Sequence, residues 1–509
     1  MKRLTLFLIT FLFLLTSIAC QTTQTTTSTT SSQTTTTQST STSQTNSTTL
    51  STQTTTQTTT TPTTQSTSTT TTTTSDLKEP FRPTSFQTIQ DHMDVVGIPS
   101  VGDLRILVFA VDFSDYPANQ SGITINQIQT AFNGTSSSMD FESVSSYYFK
   151  SSYGKLNLTA DVFGFYRADE PSSYYENEYE KLYAVDEFGD YIYGDDEITY
   201  PDSDLIYELL LHYDNQIDYS DYDANNDGFI DAVYVIYTAP VSFDEGSDLW
   251  WAYQDIYIYE GDIFDGVEPY FFMWAGVDFF FEGSDALNAR TIIHETGHLL
   301  GLEDYYDYDT EGEMNFGGLG GADMMDNTIG DHNPFSKLTL GWITPLVVTE
   351  SMTVVINPFE SSGDVLLIKN VWNNTIFDEY FLVSFYTPTG LNEADKDGIF
   401  TIPGVLIYHV TAQIAETMDE DSYYPSIYQY NNTDTVHKLL KIIEADMGNE
   451  IDDYGIAENS DLFQTGDGFK QTIYPNYEWN TITPKSISFT ITIISIENNQ
   501  ATVRIDFAN

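Results

Sequence analysis

The stretch TIIHETGHLLGLEDYYD, residues 291–307, decides how the fold and the chemistry of this chain are interpreted. Two of the seven histidines in the 509 residues lie here, four positions apart, with a glutamate directly after the first. Apolar residues at 292, 293, 299 and 300 precede Gly301, so the pattern predicts a buried helix that ends at this glycine. Residues four apart share one helix face, and His294 and His298 can therefore each present a nitrogen to one ion.

A third ligand follows this predicted helix. Gly301 lets the chain turn back sharply, and Asp304 can then reach the same ion. The result is the pattern H-E-x-x-H-x-x-G-x-x-D, with aspartate in place of the more frequent histidine. Three protein ligands leave one zinc position open for water, whose pKa the ion would lower while Glu295 accepts the proton. The sequence therefore predicts hydrolysis of an amide bond by a metal-activated water.

Two other interpretations of the histidine pair stay open. The first is a buried helix whose histidines merely pack, which requires the specified positions to coincide by chance in a histidine-poor chain. The second is a domain that binds metal but is inactive. Glu295 argues against the second interpretation, because a purely structural site needs no base.

Upstream of the histidine pair, predicted strands and helices alternate. RILVFAVDF, residues 105–113, is a nearly continuous apolar run that predicts a central strand. The other predicted elements are a helix from 125 that ends at Gly134, a half-buried strand at 155–163, a helix at 204–213 and a buried strand at 232–237. This alternation predicts an α/β or α+β domain, which we place at residues 79–346 and expect to be α+β.

Beyond Pro345 the pattern changes to short strands separated by turn signals. The predicted strands are MTVVINPF, DVLLIKNVW, YFLVSFY, GVLIYHV, LLKIIEAD, SISFTITIISI and ATVRIDF. Short alternating strands of this kind are typical of an all-β, sandwich-like domain, which we place at residues 347–509.

The stretch DANNDGFID, residues 223–231, resembles a calcium-binding loop. Oxygen-bearing side chains occupy its first, third, fifth and ninth positions, and Gly228 occupies the sixth, where the loop turns. The predicted calcium ligands are the side chains of Asp223, Asn225, Asp227 and Asp231 and the carbonyl of Phe229. Tyr234 replaces the usual glutamate at position twelve, so a further ligand must come from elsewhere. The alternative is a solvated acidic turn before a strand.

The N-terminus predicts export. Residues 1–20 combine two positive charges, an apolar run shorter than a comfortable membrane span, and small residues before Cys20, the only cysteine. The setting resembles a bacterial lipoprotein signal, in which the cysteine becomes the lipidated N-terminus; an ordinary secretory signal is the alternative. Residues 21–78, rich in Thr, Ser and Gln, predict a disordered linker. We expect display on the extracellular face of the cell membrane, or secretion.

The charge balance excludes one class of function. The chain has 18 basic and 75 acidic residues and a formal net charge of −57, so it should repel nucleic acid and anionic membrane surfaces. Contact with the membrane is therefore expected through a lipid anchor only. With 40% hydrophobic residues the chain can build real cores, and with a single cysteine it cannot form an internal disulfide. We expect a monomer.

Several segments together resemble the immune inhibitor A type of metzincin metalloprotease, from about residue 103 to the C-terminus. They are RILVFAVDFSD, YYFKSSYGKLNLTADVFGFY, DANNDGFIDAVYVIY, HETGHLLGLEDYYD, ADMMD followed by PFSKLTLGWITP, and PGVLIYHV. The resemblance implies zinc ligands at His294, His298 and Asp304, a general base at Glu295 and a turn methionine at Met325 beneath the metal. It further implies a secreted, zinc-dependent enzyme that acts on proteins or peptides and uses calcium for stability.

Two rival functions remain from the sequence alone. One is a surface adhesin or binding protein whose β-domain does the work while the metal site is inert. The other is a zinc hydrolase of cell-wall peptides. The first rival differs from a protease at Glu295, since replacing this residue would abolish proteolysis but leave binding intact.

Overall fold

Strand β1 (Gly102–Asp112) lies inside a mixed sheet in the computed structural model. The structure describes residues 80–182, 199–241, 248–283, 286–307, 318–397, 399–415, 426–433 and 436–508, all within one unit of the fold. The predicted export signal at 1–20, the lipidation site Cys20 and the linker at 21–78 lie outside these residues. Among the residues described, no helix is both long and apolar enough to span a bilayer.

The first sheet has five strands. Their order is β2 (Leu156–Arg167), β1, β4 (Val233–Tyr237), β7 (Phe271–Gly276) and β5 (Tyr253–Ile256). The first four are parallel, and the edge strand β5 runs antiparallel to β7. A separate pair of short parallel strands is formed by β3 (Phe229–Ile230) and β6 (Glu268–Pro269). The continuous apolar runs of β1 and β4 follow from burial of both sheet faces.

Helices cover both faces of this sheet. Side chains of α1 (Ile125–Asn133), α2 (Val144–Ser151) and α5 (Arg290–Leu299) share one core with Ile106 and Val108 of β1. Side chains of α3 (Ser172–Leu182) and α4 (Pro201–Tyr213) share a second core with Leu107 and Phe109. Alternate residues of β1 thus point into opposite cores, as the pleat requires. The predicted elements of this region are all present as strands or helices, within a few residues of the expected ends.

The C-terminal region consists mainly of two further sheets. One has the order β13 (Leu440–Ile442), β12 (Gly404–Thr411), β11 (Glu379–Tyr386), β10 (Val365–Ile368) and β8 (Leu346–Val348). The other has the order β14 (Gly468–Phe469), β15 (Phe489–Glu497), β16 (Gln500–Phe507) and β9 (Met352–Ile356). The described residues also contain short α-helices: α6 (Met324–Asn327) and α7 (Pro334–Thr339) precede this region, and α8 (Phe359–Ser362) and α9 (Glu450–Tyr454) lie within it. Each strand predicted in this region has a counterpart.

The five-stranded C-terminal sheet belongs to two cores at once. Phe381 and Val383 of β11 pack between the two C-terminal sheets, whereas Tyr380 and Leu382 of the same strand join the core that contains helix α5. The predicted division at 346/347 falls inside strand β8. The two predicted regions therefore share one hydrophobic core, and the mixed architecture agrees with an α+β class.

Residues 80–101 pack behind the C-terminal end of α5. The Ile98 amide donates to the Leu299 carbonyl at 3.0 Å, and the Gln90 side chain donates to the Leu300 carbonyl at 3.2 Å. The Gln90 oxygen also accepts from the Ser100 amide at 2.9 Å. This segment therefore satisfies carbonyl groups that the end of a helix leaves without partners.

Candidate metal centre

Helix α5 carries the histidine pair into the core. Its first amide, at Arg290, donates to the Asn288 side chain at 3.0 Å, and Ile292 and Ile293 are fully buried. After the helix, Gly301 adopts a φ of +95°, which glycine tolerates best, and the Leu302 amide donates back to the Gly297 carbonyl at 3.0 Å. The predicted turn at Gly301 is confirmed, and it reverses the chain.

This turn brings Asp304 back to the two histidines. Asp304 Oδ1 lies 3.0 Å from His294 Nε2, and Asp304 Oδ2 lies 3.4 Å from His298 Nε2. One ligand atom from each of the three side chains lies within 4.8 Å of the other two. His294 and Asp304 are buried, whereas the His298 side chain is 19% exposed, so the site borders solvent on the side of His298. The buried group could hold a metal ion.

Backbone carbonyls orient both imidazole rings. His294 Nδ1 donates to the Met324 carbonyl at 2.8 Å, and His298 Nδ1 donates to the Leu302 carbonyl at 2.9 Å. A carbonyl only accepts, so each ring carries a proton on Nδ1 and directs its other nitrogen, Nε2, towards Asp304. Such supporting hydrogen bonds are typical of metal-binding histidines.

The three side chains are strongly coupled electrostatically. Burial opposes ionisation of Asp304, but His298 and His294 outweigh burial and hold the pKa of Asp304 far below its ordinary range. Burial likewise opposes a charged His298, yet Asp304 raises the pKa of His298 to about 10. Burial raises the pKa of the neighbouring Glu295 carboxyl, and the two histidines partly offset this effect. The carboxylate of Asp304 thus stabilises positive charge between the three ligands.

Met325 lies directly beneath α5. A Cβ atom built on Gly297 would lie 2.3 Å from Met325 Sδ, so glycine leaves the space that the sulfur occupies. Asp323 caps α6 by accepting from the Met325 amide at 2.7 Å, and it also accepts from the Asn333 amide at 2.6 Å. The turn that contains Met325 is therefore held by a buried carboxylate and packs on α5 at Gly297.

The C-terminal region holds the loop that carries Asp304. The carbonyl of Tyr305 accepts from Asn432 Nδ2 at 2.7 Å and from the Gly318 amide at 2.9 Å, while the Tyr305 amide donates to the Met325 carbonyl at 3.0 Å. Ser426 Oγ donates to Glu303 at 2.9 Å. Sequence reasoning missed Asn432 and Ser426, because neither lies in a motif and both are more than a hundred residues away from the loop.

Tyr305, the residue after Asp304, uses its hydroxyl group for a structural contact. It lies 2.8 Å from Ser336 Oγ in the buried interior, so it does not face a substrate. Tyr308, another tyrosine close to the ligands in sequence, lies outside the described residues.

The predicted calcium loop folds as a tight turn around its acidic side chains. Asp223 accepts from the amides of Asp227 and Gly228, both at 3.1 Å, and Asp227 accepts from the Phe229 amide at 3.0 Å. Asp231 is 1% exposed; burial, then Asp223 and Asp227, raise the pKa of Asp231 to about 8. A cation between these carboxylates would relieve that burial penalty, and calcium at this loop stays a prediction.

Only two groups of three acidic or histidine side chains converge within 4.8 Å in the described part of the chain, and the loop at 223–231 is neither of them. The second group is Glu444, Asp446 and Asp461, where Asp446 is exposed and the other two are buried. The sequence offered no spacing pattern for this group, and acidic groups of this kind are common without an ion.

Comparison with known proteins does not identify the chain. No model of a protein family matches it, and no curated protein matches it. The donor atoms of the site, their burial and their neighbours are therefore the basis for inferring the function.

Proposed function

We propose that this protein is a zinc-dependent endopeptidase that hydrolyses peptide bonds in proteins. One observation carries the proposal: His294, His298 and Asp304 converge beside the buried carboxyl group of Glu295. Two imidazole nitrogens and one carboxylate are a donor set found in catalytic zinc sites, where three protein ligands leave a position open. The Nδ1 contacts of both histidines direct their Nε2 atoms to the same point, which fits a preformed site.

The chemistry divides between the ion and the chain. A bound zinc ion would polarise the scissile carbonyl group and lower the pKa of a water molecule. Glu295 would accept a proton from that water on its carboxylate and deliver it to the departing amine nitrogen. Burial favours this role in two ways. It raises the pKa of the Glu295 carboxyl group, which makes the carboxylate a better acceptor of the proton, and it keeps competing solvent away.

We assign the protease part to the metzincin type. The support is the H-E-x-x-H-x-x-G-x-x-D pattern together with a methionine turn, whose Met325 sulfur packs on Gly297 of the same helix. Met325 rather than Met324 occupies this position, since the Met324 carbonyl is instead the acceptor for His294.

The remaining parts of the proposal rest on the sequence. Export, a lipid anchor at Cys20 and the Thr-, Ser- and Gln-rich linker would display the enzyme on the extracellular face of the membrane or release it. Calcium at residues 223–231 would stabilise a fold that has no internal disulfide. The substrates would be proteins or peptides, the protein would act as a monomer, and nucleic acid would be repelled by the net charge of −57.

The test combines metal analysis with a digest of casein. The purified protein should contain about one zinc ion per chain and cleave casein, and a chelator should abolish cleavage. Glu295→Gln should retain zinc but cleave roughly a hundredfold to ten-thousandfold more slowly, because the base is lost. Glu282→Gln is the matched control: Glu282 accepts from Thr291 near the start of the same helix, and its loss should leave the rate unchanged.

Three outcomes would contradict the proposal. A protein without zinc affinity would show that the histidines merely pack. Zinc binding without cleavage of any peptide would favour the adhesin. Cleavage of peptidoglycan peptides with casein spared would favour the hydrolase of cell-wall peptides.

A further inference from the structure

A cavity lies on the C-terminal region, apart from the histidine pair. Its volume is about 400 Å³, and its walls include Asp307, His409, Lys438, Lys441, Asp452 and Tyr477. These residues come from strand β12, from strand β13 and the residues before it, from helix α9, from the loop that follows Asp304, and from the connection between β14 and β15. The volume falls within the range of roughly 300–1,000 Å³ that is usual for small-molecule sites.

His409 presents a hydrogen-bond acceptor in this cavity. The side chain is 5% exposed and stacks on Phe381 with a ring separation of 4.5 Å. His409 Nε2 lies 2.8 Å from Glu379, a carboxylate that can only accept, so Nε2 carries the proton. Burial lowers the pKa of His409, which keeps the ring neutral and leaves a lone pair on Nδ1. Among the described residues, none donates a hydrogen bond to Nδ1.

Four charged side chains of the cavity form two ion pairs, and Glu478, also in its wall, lies 3.8 Å from Lys485 outside the lining. Lys438 Nζ lies 3.4 Å from Asp307, and Lys441 contacts Asp452. All four side chains are only 26–30% exposed, so their positions are restricted by the fold. An anion would be repelled by the two aspartates, and a cation by the two lysines. The walls therefore favour a neutral ligand that both donates and accepts hydrogen bonds.

An aromatic surface completes the site. The rings of His409 and Tyr477 lie 5.5 Å apart. The Tyr477 hydroxyl is buried and has no hydrogen-bond partner among the described residues. Rings of this kind offer a flat face to the apolar side of a ligand.

We propose that this cavity binds a carbohydrate, as one or two neutral sugar rings. Vicinal hydroxyl groups both donate and accept, so they match the Nδ1 lone pair of His409, the lysine ammonium groups and the aspartate oxygens. The C–H face of a sugar ring suits Tyr477. The site is separate from the zinc ligands, and the proposal does not depend on proteolysis.

The test is binding of the whole protein to an array of neutral and acidic glycans, followed by calorimetry with the strongest binder. We expect a neutral glycan to bind. Lys441→Met should weaken binding at least about tenfold, because a hydrogen bond from a charged donor is lost. His409→Phe, which keeps an aromatic ring against Phe381, should weaken it similarly. Inorganic phosphate, as an anionic probe, should not compete.

Two controls separate this proposal from the zinc chemistry. Glu295→Gln should bind the glycan as the wild type does, whatever its effect on casein. Lys150→Met removes a lysine that is likewise ion-paired, with Glu142, but lies on α2, and it should leave binding unchanged. Absence of any glycan binder, binding of phosphate alone, or equal binding by wild type and both cavity variants would overturn the proposal.

Discussion

Gly297 of helix α5 and Met325 of the turn beneath it are packed so closely that no further methyl group fits between them. The distance of 2.3 Å between Met325 Sδ and a Cβ built on Gly297 is far shorter than any real contact of such atoms. The next carbonyl upstream, that of Met324, holds His294 at 2.8 Å. Displacement of the turn would therefore reach His294, one of the three side chains that could hold a metal ion.

Gly297→Ala should consequently lower both stability and zinc affinity. Overpacking of a filled core typically costs about 1–3 kcal/mol in the free energy of unfolding. Combining it with Met325→Ala should cost less than the sum of the two single changes, since the added methyl would then have space. Thermal unfolding and zinc competition would measure both effects. Strictly additive losses would show that the two residues do not interact.

Asn432→Asp should weaken zinc binding although the residue is not a ligand. A carboxylate oxygen would replace the amide donor that holds the Tyr305 carbonyl at 2.7 Å, next to Asp304 in the chain. Loss of such a supporting contact typically lowers metal affinity roughly 10–100-fold.

Asn133→Asp is the control for Asn432. Asn133 bridges the amide and carbonyl of Ala160, as Asn432 bridges those of Leu440, but it makes no contact with the ligand loop. Zinc affinity should be normal in this variant. Equal losses of zinc affinity in both variants would show that Asn432 acts only through general stability.

The buried carboxylate of Glu379 should make stability depend on acid pH. Burial opposes its ionisation, but His409 and the amides of residues 480 and 481 lower the pKa of Glu379 from 4.5 to about 2. A depressed pKa in the folded state stabilises the fold above pH 4.5, by roughly 3 kcal/mol, and this stabilisation is lost as pH falls towards 2. The stability difference between wild type and Glu379→Gln, measured by denaturant unfolding, should therefore shrink between these pH values. A difference that does not change with pH would contradict the assignment.

Calcium should stabilise the protein through the loop at 223–231. A ligand that binds only the folded state stabilises it by about 2.7 kcal/mol at a concentration of a hundred times Kd. Asp231→Asn should abolish most of the effect, because a buried ligand oxygen is lost. Asp214→Asn removes one exposed charge and should leave the calcium response intact. Calorimetric melting with and without calcium would measure this, and an unchanged response in Asp231→Asn would exclude the loop.

The elements that the sequence predicts well are those encoded locally. Strand β1 is a nearly continuous apolar run because both of its faces are buried. Helix α5 shows apolar residues at helical spacing and is followed by Gly301, where the chain turns. The convergence of His294, His298 and Asp304 is predictable for the same reason, since the three residues lie within one short segment.

Contacts between distant segments could not be predicted in this way. Asn432 and Ser426 meet the ligand loop only after the five-stranded C-terminal sheet has packed, and no spacing in the sequence relates them to Asp304. The cavity around His409 likewise assembles residues from at least five separate segments. Periodicity identifies which residues of β11 are buried, but not that its two faces enter different cores.

The two-faced sheet of the C-terminal region has an evolutionary consequence. Tyr380 and Leu382 belong to the same hydrophobic core as helix α5. Replacing either region with an unrelated domain would therefore expose that core to water. Substitutions of core residues in one region must be accommodated by core residues in the other. The two regions should therefore be inherited together. A recombinant fragment ending near residue 346 should aggregate instead of behaving as a minimal hydrolase.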